Sequence, residues 1–319
     1  MDARRNVALF ACLSFASICA GCHELPPAPE PLGVMHSARV VTSSLHARFS
    51  VLPPPAGCAP VLAPVVFLPA LGFTGDSFEA VARRVTACRA RILVDYPGIG
   101  EGPTVDGEVR ASEVVRAVDD VIASESARPV VLVGHSIGGA IALRLAVRDP
   151  ERVAALVLID AAVAPFPLSW WERLALHPAT WTPLLRLFGP AYVVRHALPR
   201  LLGEQTKADE HDVEVLAEQL AHKARRQTLL DYYRVFLSPA ELEASRRDLG
   251  RVHVPVTVIW GRRDDVVPSK VVTTILQALP PGVPRDVRWL PGGHLLPLER
   301  PEALARAIDE ISGTLAAER

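Results

Sequence analysis

Short apolar runs alternate along this chain with stretches in which apolar residues recur every three or four positions. Continuous apolar runs are typical of strands buried on both faces, and the three-to-four spacing predicts amphipathic helices. Repeated strand-helix-strand units predict an α/β fold: a mostly parallel, doubly wound sheet with ligands at the carboxyl ends of its strands. The predicted core strands are 65–68, 92–94, 130–133, 156–159, 256–260 and 287–290.

The segment before the first of these runs has a different pattern. Residues 38–41 and 45–51 alternate apolar and polar positions, and Thr42-Ser43-Ser44 separates them. A period of two is typical of strands with one buried face. We therefore predict an antiparallel hairpin at one edge of the sheet.

The strand and helix alternation is interrupted over residues 163–248, which are rich in helix formers and poor in β-branched runs. We predict a helical cap inserted over the mouth of the sheet, between core segments 34–162 and 249–319. The cap holds several large aromatic residues, which lie either against the core or around a pocket. Together they favour an apolar substrate over a sugar. They are Trp170, Trp171, Trp181, Tyr192, Tyr232 and Tyr233.

The charge of the chain excludes one class of partner. The 319 residues carry a formal net charge of −1, and the sequence has no basic cluster of the kind that follows a phosphate backbone. We therefore expect no nucleic-acid partner. The histidines and cysteines do not show metal-ligand spacing, so we also expect no metal site and no cofactor.

The first 22 residues resemble a bacterial export signal that ends in a lipobox, with two arginines, an uncharged run over 7–20 and then Ala20-Gly21-Cys22. The uncharged run is shorter than the roughly 20 residues that span a bilayer as a helix. We expect a signal peptide over 1–21, acylation of Cys22 and a proline-rich tether over 22–33. The protein would then be an exported lipoprotein, anchored to a membrane and facing the periplasm or the exterior. Plain secretion and a retained signal anchor are the alternatives.

The run at 130–133 leads directly into Gly134-His135-Ser136-Ile137-Gly138, and helical spacing follows. A serine at such a strand-to-helix turn has a strained backbone, and glycines two residues before and after it avoid a collision. The turn exposes the hydroxyl above the sheet and directs the first amides of the helix at the group that the serine attacks. We predict that Ser136 is a nucleophile. His135 is expected to pack or to bond to a neighbouring loop.

A serine hydroxyl needs a base within hydrogen-bonding reach and an acid that orients the base. His294 follows the last buried strand and Asp264 follows the strand before it, so both are predicted at strand carboxyl ends, on the same edge as Ser136. Asp265 and Asp160 are alternatives for the acid, and Asp160 also fits a structural role in its loop.

These motifs, in this order, resemble those of the α/β-hydrolase family, and the resemblance covers residues 34–316. It implies a sheet with a helical cap and a triad in which Ser136 is the nucleophile, His294 the general base and then acid, and Asp264 its orienting partner. The family spacing favours Asp264 over Asp265. The matching segments are Gly134-His135-Ser136-Ile137-Gly138-Gly139, Gly261-x-x-Asp264 with Pro268, Gly293-His294 followed by Glu299-x-Pro301, and Asp95-Tyr96-Pro97-Gly98-Ile99-Gly100.

The family's oxyanion hole uses two backbone amides. On the resemblance, these are the N–H of Ile137, directly after the nucleophile, and the N–H of Phe73 in the loop after the first buried strand. The family usually has a His-Gly pair in this loop, whereas this chain has Leu71-Gly72. The replacement of the histidine by Leu71 affects which contacts hold this loop in place and how much water reaches the entrance of the active site.

Two cysteines remain once the leader and Cys22 are set aside. In the family, the strands that follow Cys58 and Cys88 are parallel neighbours, which puts both cysteines near the edge where the strands start. An exported compartment permits a disulfide between them. Two unpaired, buried thiols are the alternative.

The resemblance implies a serine hydrolase that cleaves carboxylic esters of apolar acyl or alkyl groups through an acyl-enzyme, with a small apolar ester as its partner. A serine nucleophile disfavours the dehalogenase and epoxide-hydrolase branches, which use an aspartate there. Hydrolysis of amides, thioesters or carbon–carbon bonds, acyl transfer and haloperoxidase-like chemistry stay open, because the cap sets the substrate. The alternative from another class is a ligand-binding protein that keeps the fold without turnover.

Overall fold

The computed structural model describes residues 36–37, 45–54, 56–58, 61–85, 88–100, 102–105, 107–168, 178–203 and 210–317. Several sequence predictions lie outside these residues. They are the leader over 1–21, the acylation of Cys22, the tether over 22–33, the first hairpin arm over 38–41, and the placement of Trp170 and Trp171.

A single sheet runs through the described part of the chain, with strand order β1-β2-β4-β3-β5-β6-β7-β8. The first two pairings, β1 with β2 and β2 with β4, are antiparallel, and all the others are parallel. The prediction of a mostly parallel sheet with an antiparallel edge is therefore confirmed. The strands are β1 His36–Ser37, β2 Arg48–Leu52, β3 Val65–Leu68, β4 Arg91–Asp95, β5 Val130–His135, β6 Val153–Ile159, β7 Val256–Gly261 and β8 Arg285–Leu290.

Helices cover both faces of the sheet. Successive residues of a strand point to opposite faces, so a strand made of apolar residues has an apolar surface on each face that must be covered. Val66 and Leu68 of β3 belong to one buried cluster, and Val65 and Phe67 belong to another on the opposite face. The first cluster includes residues of α2, α3, α8 and α9, and the second includes residues of α1 and α11. The helices are α1 Glu79–Arg84, α2 Ala111–Glu125, α3 Ile137–Arg148, α4 Pro178–Phe188, α5 Pro190–Ala197, α6 Glu210–Ala221, α7 Lys223–Leu237, α8 Pro239–Leu249, α9 Lys270–Ala278, α10 Leu296–Glu299 and α11 Pro301–Ala317.

The segment between β6 and β7 is helical where it is described, and it contains α4 to α8. Its aromatic residues have different environments. Tyr232 is fully buried, stacks on Tyr96 with ring centroids 5.9 Å apart, and donates a hydrogen bond from its hydroxyl to the Pro97 carbonyl at 3.0 Å. Tyr233 lines the cavity at Ser136, whereas Tyr192 is exposed. Both roles that the sequence left open for these aromatics therefore occur.

A disulfide joins Cys58 to Cys88, whose Cα atoms are 5.4 Å apart. Cys58 precedes β3 and Cys88 precedes β4, and these two strands are parallel neighbours. The bridge therefore lies near the edge of the sheet where the strands start. In the described ranges, no helix has both the length and the apolar character needed to cross a bilayer.

Candidate active site

Ser136 lies in the turn between β5 and α3 with φ 54° and ψ −116°, a backbone conformation that a non-glycine residue seldom adopts. Its N–H donates a hydrogen bond to the Ile159 carbonyl at 2.9 Å, which fixes the turn against β6. A Cβ atom at Gly138 would lie 2.1 Å from the Leu68 carbonyl oxygen. Only glycine fits this approach of the helix start to β3, which explains the second glycine of the motif.

His294 and Asp264 are brought together by the loops that follow β8 and β7. The Nδ1 atom of His294 lies 2.9 Å from Oδ2 of Asp264, and both side chains are buried. The other carboxylate oxygen, Oδ1, accepts hydrogen bonds from the N–H groups of Val266 at 2.8 Å and Val267 at 3.0 Å. Asp265 is exposed. The structure therefore gives Asp264 the position that orients a histidine.

The loop that carries His294 is tied to the cap by three hydrogen bonds that the sequence did not predict. The N–H of His294 donates to the Leu201 carbonyl at 2.9 Å. The buried carboxylate of Glu299 accepts the N–H of Gly293 at 2.9 Å and the N–H of Gly203 at 3.0 Å. Glu299 belongs to the motif Glu299-x-Pro301, so the sequence marked the residue without giving its contacts.

His135 is hydrogen-bonded to the loop that carries His294. Its Nε2 lies 2.6 Å from the His294 carbonyl oxygen, so this nitrogen carries the proton and donates it to the carbonyl. Burial, and secondarily repulsion from His294, lower the pKa of His135 to about 3. His135 is therefore neutral near neutral pH and acts as a hydrogen-bond donor. The expected role of bonding to a neighbouring loop fits this geometry.

Asp160 follows β6, is fully buried and has φ 43°. Its Oδ1 accepts the N–H of Gly261 at 2.7 Å, and its Oδ2 has no donor facing it. Burial, and then the neighbouring carboxylate of Asp264, raise the pKa of Asp160 well above its usual range. A neutral carboxylic acid can donate its proton to Asp264, whereas two adjacent carboxylates would repel each other. Asp160 thus supports Asp264 and does not contact His294 in its place.

The loop after β3 closes a turn in which the N–H of Phe73 donates to the Ala70 carbonyl at 3.1 Å. The Phe73 N–H is therefore occupied here, which differs from the free donor that the sequence predicted. The turn places Leu71 and Gly72 at its tip. The N–H of Ile137 belongs to the first residue of α3.

Ser136 and His294 line a cavity of about 880 Å³ that is open to solvent. Within the described residues, no hydrogen bond joins Ser136 Oγ to His294, a contact that catalytic sites often tighten only when substrate is bound. No group of three or more metal-ligating side chains occurs in the same part of the chain. The rest of the wall is almost wholly apolar: Ala70, Leu71, Phe73, Ala162, Phe166, Leu168, Leu201, Tyr233, Leu237, Val266, Val267 and Leu295.

Comparison with known proteins gives consistent results. The model of a family described as "Alpha/beta hydrolase family" matches residues 65–307. RutD of Azorhizobium caulinodans, named for carbamate hydrolysis, is 27% identical over 240 residues, which are 72% of this chain and 82% of that protein. A pimeloyl-[acyl-carrier protein] methyl ester esterase of Aeromonas salmonicida is 25% identical over 220 residues, or 68% of this chain and 83% of the esterase. Among solved structures, a thermophilic esterase from Thermogutta terrifontis superposes with a TM-score of 0.68 at 20% identity, covering 89% of this chain and 99% of the esterase.

Proposed function

The chain belongs to the alpha/beta hydrolase family, and on that basis we propose that it is a serine hydrolase that cleaves carboxylic esters with an apolar acyl or alkyl part. The observation that carries the proposal is one constellation: a strained Ser136 shares a cavity with His294, and His294 is hydrogen-bonded to the buried Asp264. The apolar wall of that cavity supports an apolar substrate. The names of the esterase and carbamate hydrolase relatives agree with hydrolysis at an ester-like carbonyl.

The reaction follows from the positions of these groups. Ser136 Oγ attacks the ester carbonyl carbon while His294 Nε2 takes the hydroxyl proton, and Asp264 keeps the other ring proton on Nδ1. The N–H of Ile137 and an N–H of the loop over 70–73 stabilise the oxyanion that forms. The carbon–oxygen bond to the alcohol breaks as His294 returns the proton to the leaving oxygen. Water then attacks the acyl-enzyme, His294 accepts its proton, and the acid is released as Ser136 recovers its own.

One observation favours a second candidate, a binding protein without turnover. The Phe73 N–H, predicted as an oxyanion donor, is bonded within its own turn. Loss of one such donor typically costs about 2.7–4 kcal/mol of transition-state stabilisation, so a loop that never reopens would leave feeble activity. The same cavity would then hold an apolar ligand without cleaving it.

Labelling with a fluorophosphonate probe separates the two candidates. We expect rapid labelling of the wild-type protein and none of Ser136→Ala. The Asp264→Asn variant should lose about 10⁴-fold in turnover of a short 4-nitrophenyl ester, as expected when a histidine loses its orienting acid. Asp265→Asn is the matched control and should retain turnover. A folded wild-type protein that is neither labelled nor active would contradict the enzyme proposal.

We also propose export with acylation of Cys22, on the basis of the leader sequence alone. Several acyl chains on one residue make membrane attachment effectively permanent, because each buried methylene contributes about 0.8 kcal/mol. The mass of the mature N-terminal peptide measures this. A peptide that begins at Cys22 and carries acyl chains supports the proposal, whereas a free Cys22 amine without acyl chains counts against it.

A further inference from the structure

A second cavity lies on the other side of the loop that faces Ser136. It has a volume of about 810 Å³, which includes space open to solvent, and lies between that loop and the cap helices α5, α6 and α7. We call it the cap cavity. The residues that line it are Leu71, Gly72, Val193, Val194, Ala197, Leu198, Leu201, Leu216, Leu220, Arg226, Leu229 and Leu230.

The cap cavity adjoins the cavity of Ser136. Leu71 and Leu201 line both of them, so the two cavities adjoin at these residues. Neither residue lies in a helix or a strand. The two cavities therefore meet at residues that lie on loops.

The chemistry of the cap cavity suits a hydrocarbon chain. Arg226 carries the single charge in the lining, and its Nη1 donates hydrogen bonds to the Leu220 and Ala221 carbonyls, the second at 3.1 Å. Apart from Gly72, which has no side chain, the other lining residues have aliphatic side chains. A sugar or a charged head group would lose its hydrogen bonds with water there without gaining replacements, which is costly. A polymethylene chain would be transferred out of water at no such cost.

Two residues in the wall of the cap cavity are also part of the contacts that hold the loops of the candidate active site. The Leu201 carbonyl accepts the N–H of His294, and Leu71 lies in the turn that Phe73 closes on Ala70. The side chains of Leu216 and Leu229 pack against Gly72, in the same turn. A chain in the cap cavity would therefore touch the walls that hold both the histidine loop and the loop facing Ser136.

We propose that the cap cavity binds the distal part of a long acyl chain whose ester carbonyl lies at Ser136, so that the substrates are long-chain acyl esters. The proposal rests on the ester hydrolase function proposed above. The chain passes between Leu71 and Leu201 and fills the space under α5, α6 and α7. Each further methylene that enters an apolar site is expected to raise kcat/KM about fourfold, until the site is full.

The test compares 4-nitrophenyl butanoate with 4-nitrophenyl hexadecanoate, below the concentration at which the longer ester aggregates. For the wild-type protein, we expect kcat/KM to rise with chain length and to favour the longer ester. Leu216→Trp and Val193→Trp fill the cap cavity from two different helices and should lower the ratio of the two kcat/KM values at least tenfold. Glu214→Trp, an exposed position on α6, is the matched control and should leave the ratio unchanged. Circular dichroism melting verifies that each variant is folded.

Two results would overturn the proposal: a wild-type rate profile that does not rise beyond short acyl chains, or an unchanged ratio in both folded tryptophan variants. In either case activity on the short ester would still support the ester hydrolase function. If the protein cleaves no ester, a binding measurement still tests whether the cap cavity holds an acyl chain. Calorimetry should detect hexadecanoate binding to Ser136→Ala and at least tenfold weaker binding when Leu216→Trp is added. Equal affinities would contradict a chain site even though turnover plays no part.

Discussion

Two buried ionisable side chains, those of His135 and Asp160, lie next to His294 and Asp264. His135 is neutral because burial lowers its pKa to about 3, whereas burial, and then Asp264, raise the pKa of Asp160 well above its usual range and so favour its neutral form. His135 donates a hydrogen bond to the His294 carbonyl, and Asp160 lies beside Asp264. In the part of the chain that the structure describes, Asp264 is the carboxylate that is hydrogen-bonded to the His294 ring. In the proposed reaction, its charge would stabilise the imidazolium that forms on His294.

The low pKa of His135 predicts that the free energy of unfolding falls as the pH is lowered. A histidine whose pKa is about 3 in the folded protein and near 6.5 when unfolded binds fewer protons in the folded state. Its contribution to stability is therefore fully present above pH 6.5 and is lost as the pH falls from 6.5 towards 3, by roughly 4–5 kcal/mol in all. His135→Gln keeps a donor but does not titrate, so we expect the loss of unfolding free energy between pH 7 and pH 4 to shrink by several kcal/mol.

Urea unfolding at pH 7, 6, 5 and 4 measures this loss. The matched control is His196→Gln, at an exposed position of α5, which should keep the wild-type pH dependence. An identical pH dependence in His135→Gln and the wild-type protein would show that His135 is not the group responsible.

The positions of the candidate catalytic residues could be predicted from the sequence, but the pKa shifts of the buried residues beside them, His135 and Asp160, could not. Ser136, Asp264 and His294 each follow an apolar run, and the carboxyl ends of parallel strands share one edge of a sheet. Burial depends on what packs around a residue, and for His135 and Asp160 those neighbours come from distant segments. The occupied Phe73 N–H was also not predictable, because it depends on the local turn with Ala70.

At the scale of elements, the short helix α10 connects the histidine loop to the cap. Glu299, its last residue, accepts one N–H from Gly293 and one from Gly203. The contact is close, since a Cβ at Gly203 would lie 2.1 Å from the Gly293 nitrogen. The segment 201–203 of the cap is therefore part of the support of His294.

Glu299→Gln should weaken this support. A glutamine offers one oxygen acceptor and one NH₂ donor, so one of the two backbone N–H groups would face another donor. We expect a loss of about 1–3 kcal/mol in unfolding free energy, together with a fall in kcat that exceeds any rise in KM, since His294 would be held less well. Steady-state kinetics and urea unfolding measure the two effects. Glu302→Gln, which affects a more exposed ion pair with Arg84, is the control, and equal kcat values in the two variants would contradict a positioning role for Glu299.

The elements differ in how far the sequence predicts them. Strands buried on both faces gave clear apolar runs, as in β3, β5 and β6, where every residue is buried. The prediction of a buried core strand over 287–290 is wrong: β8 lies at the edge of the sheet, none of its residues is fully buried, and it starts at Arg285, two residues before the predicted start. The helices of the cap were predicted as a class only. Their arrangement depends on packing between α5, α6, α7 and the core, which the spacing of apolar residues does not specify.

At the scale of the whole molecule, the disulfide and the candidate active site lie at opposite ends of the parallel strands. The disulfide lies where the strands start, and the candidate active site lies at their carboxyl ends. Cys58 and Cys88 precede β3 and β4, whereas Ser136 follows β5, and β3 runs parallel to both β4 and β5. A backbone hydrogen bond from Leu62 to the Cys88 carbonyl, at 2.7 Å, joins the same two connections. The bond and the bridge thus fix how the first parallel strands begin, far from the catalytic groups.

Removing the bridge should therefore lower stability without changing catalysis. The two cysteines are 30 residues apart, and closing a loop of that length restricts the unfolded chain by about 3–4 kcal/mol in the chain-entropy view. For a protein of this size, that corresponds to a fall of roughly 5–10 °C in Tm. We expect this fall in the Cys58→Ser/Cys88→Ser double variant and in the reduced wild-type protein, with kcat/KM unchanged at temperatures where both are folded. A Tm that does not respond to reductant, or a loss of activity in the folded double variant, would show that the bridge does not act in this way.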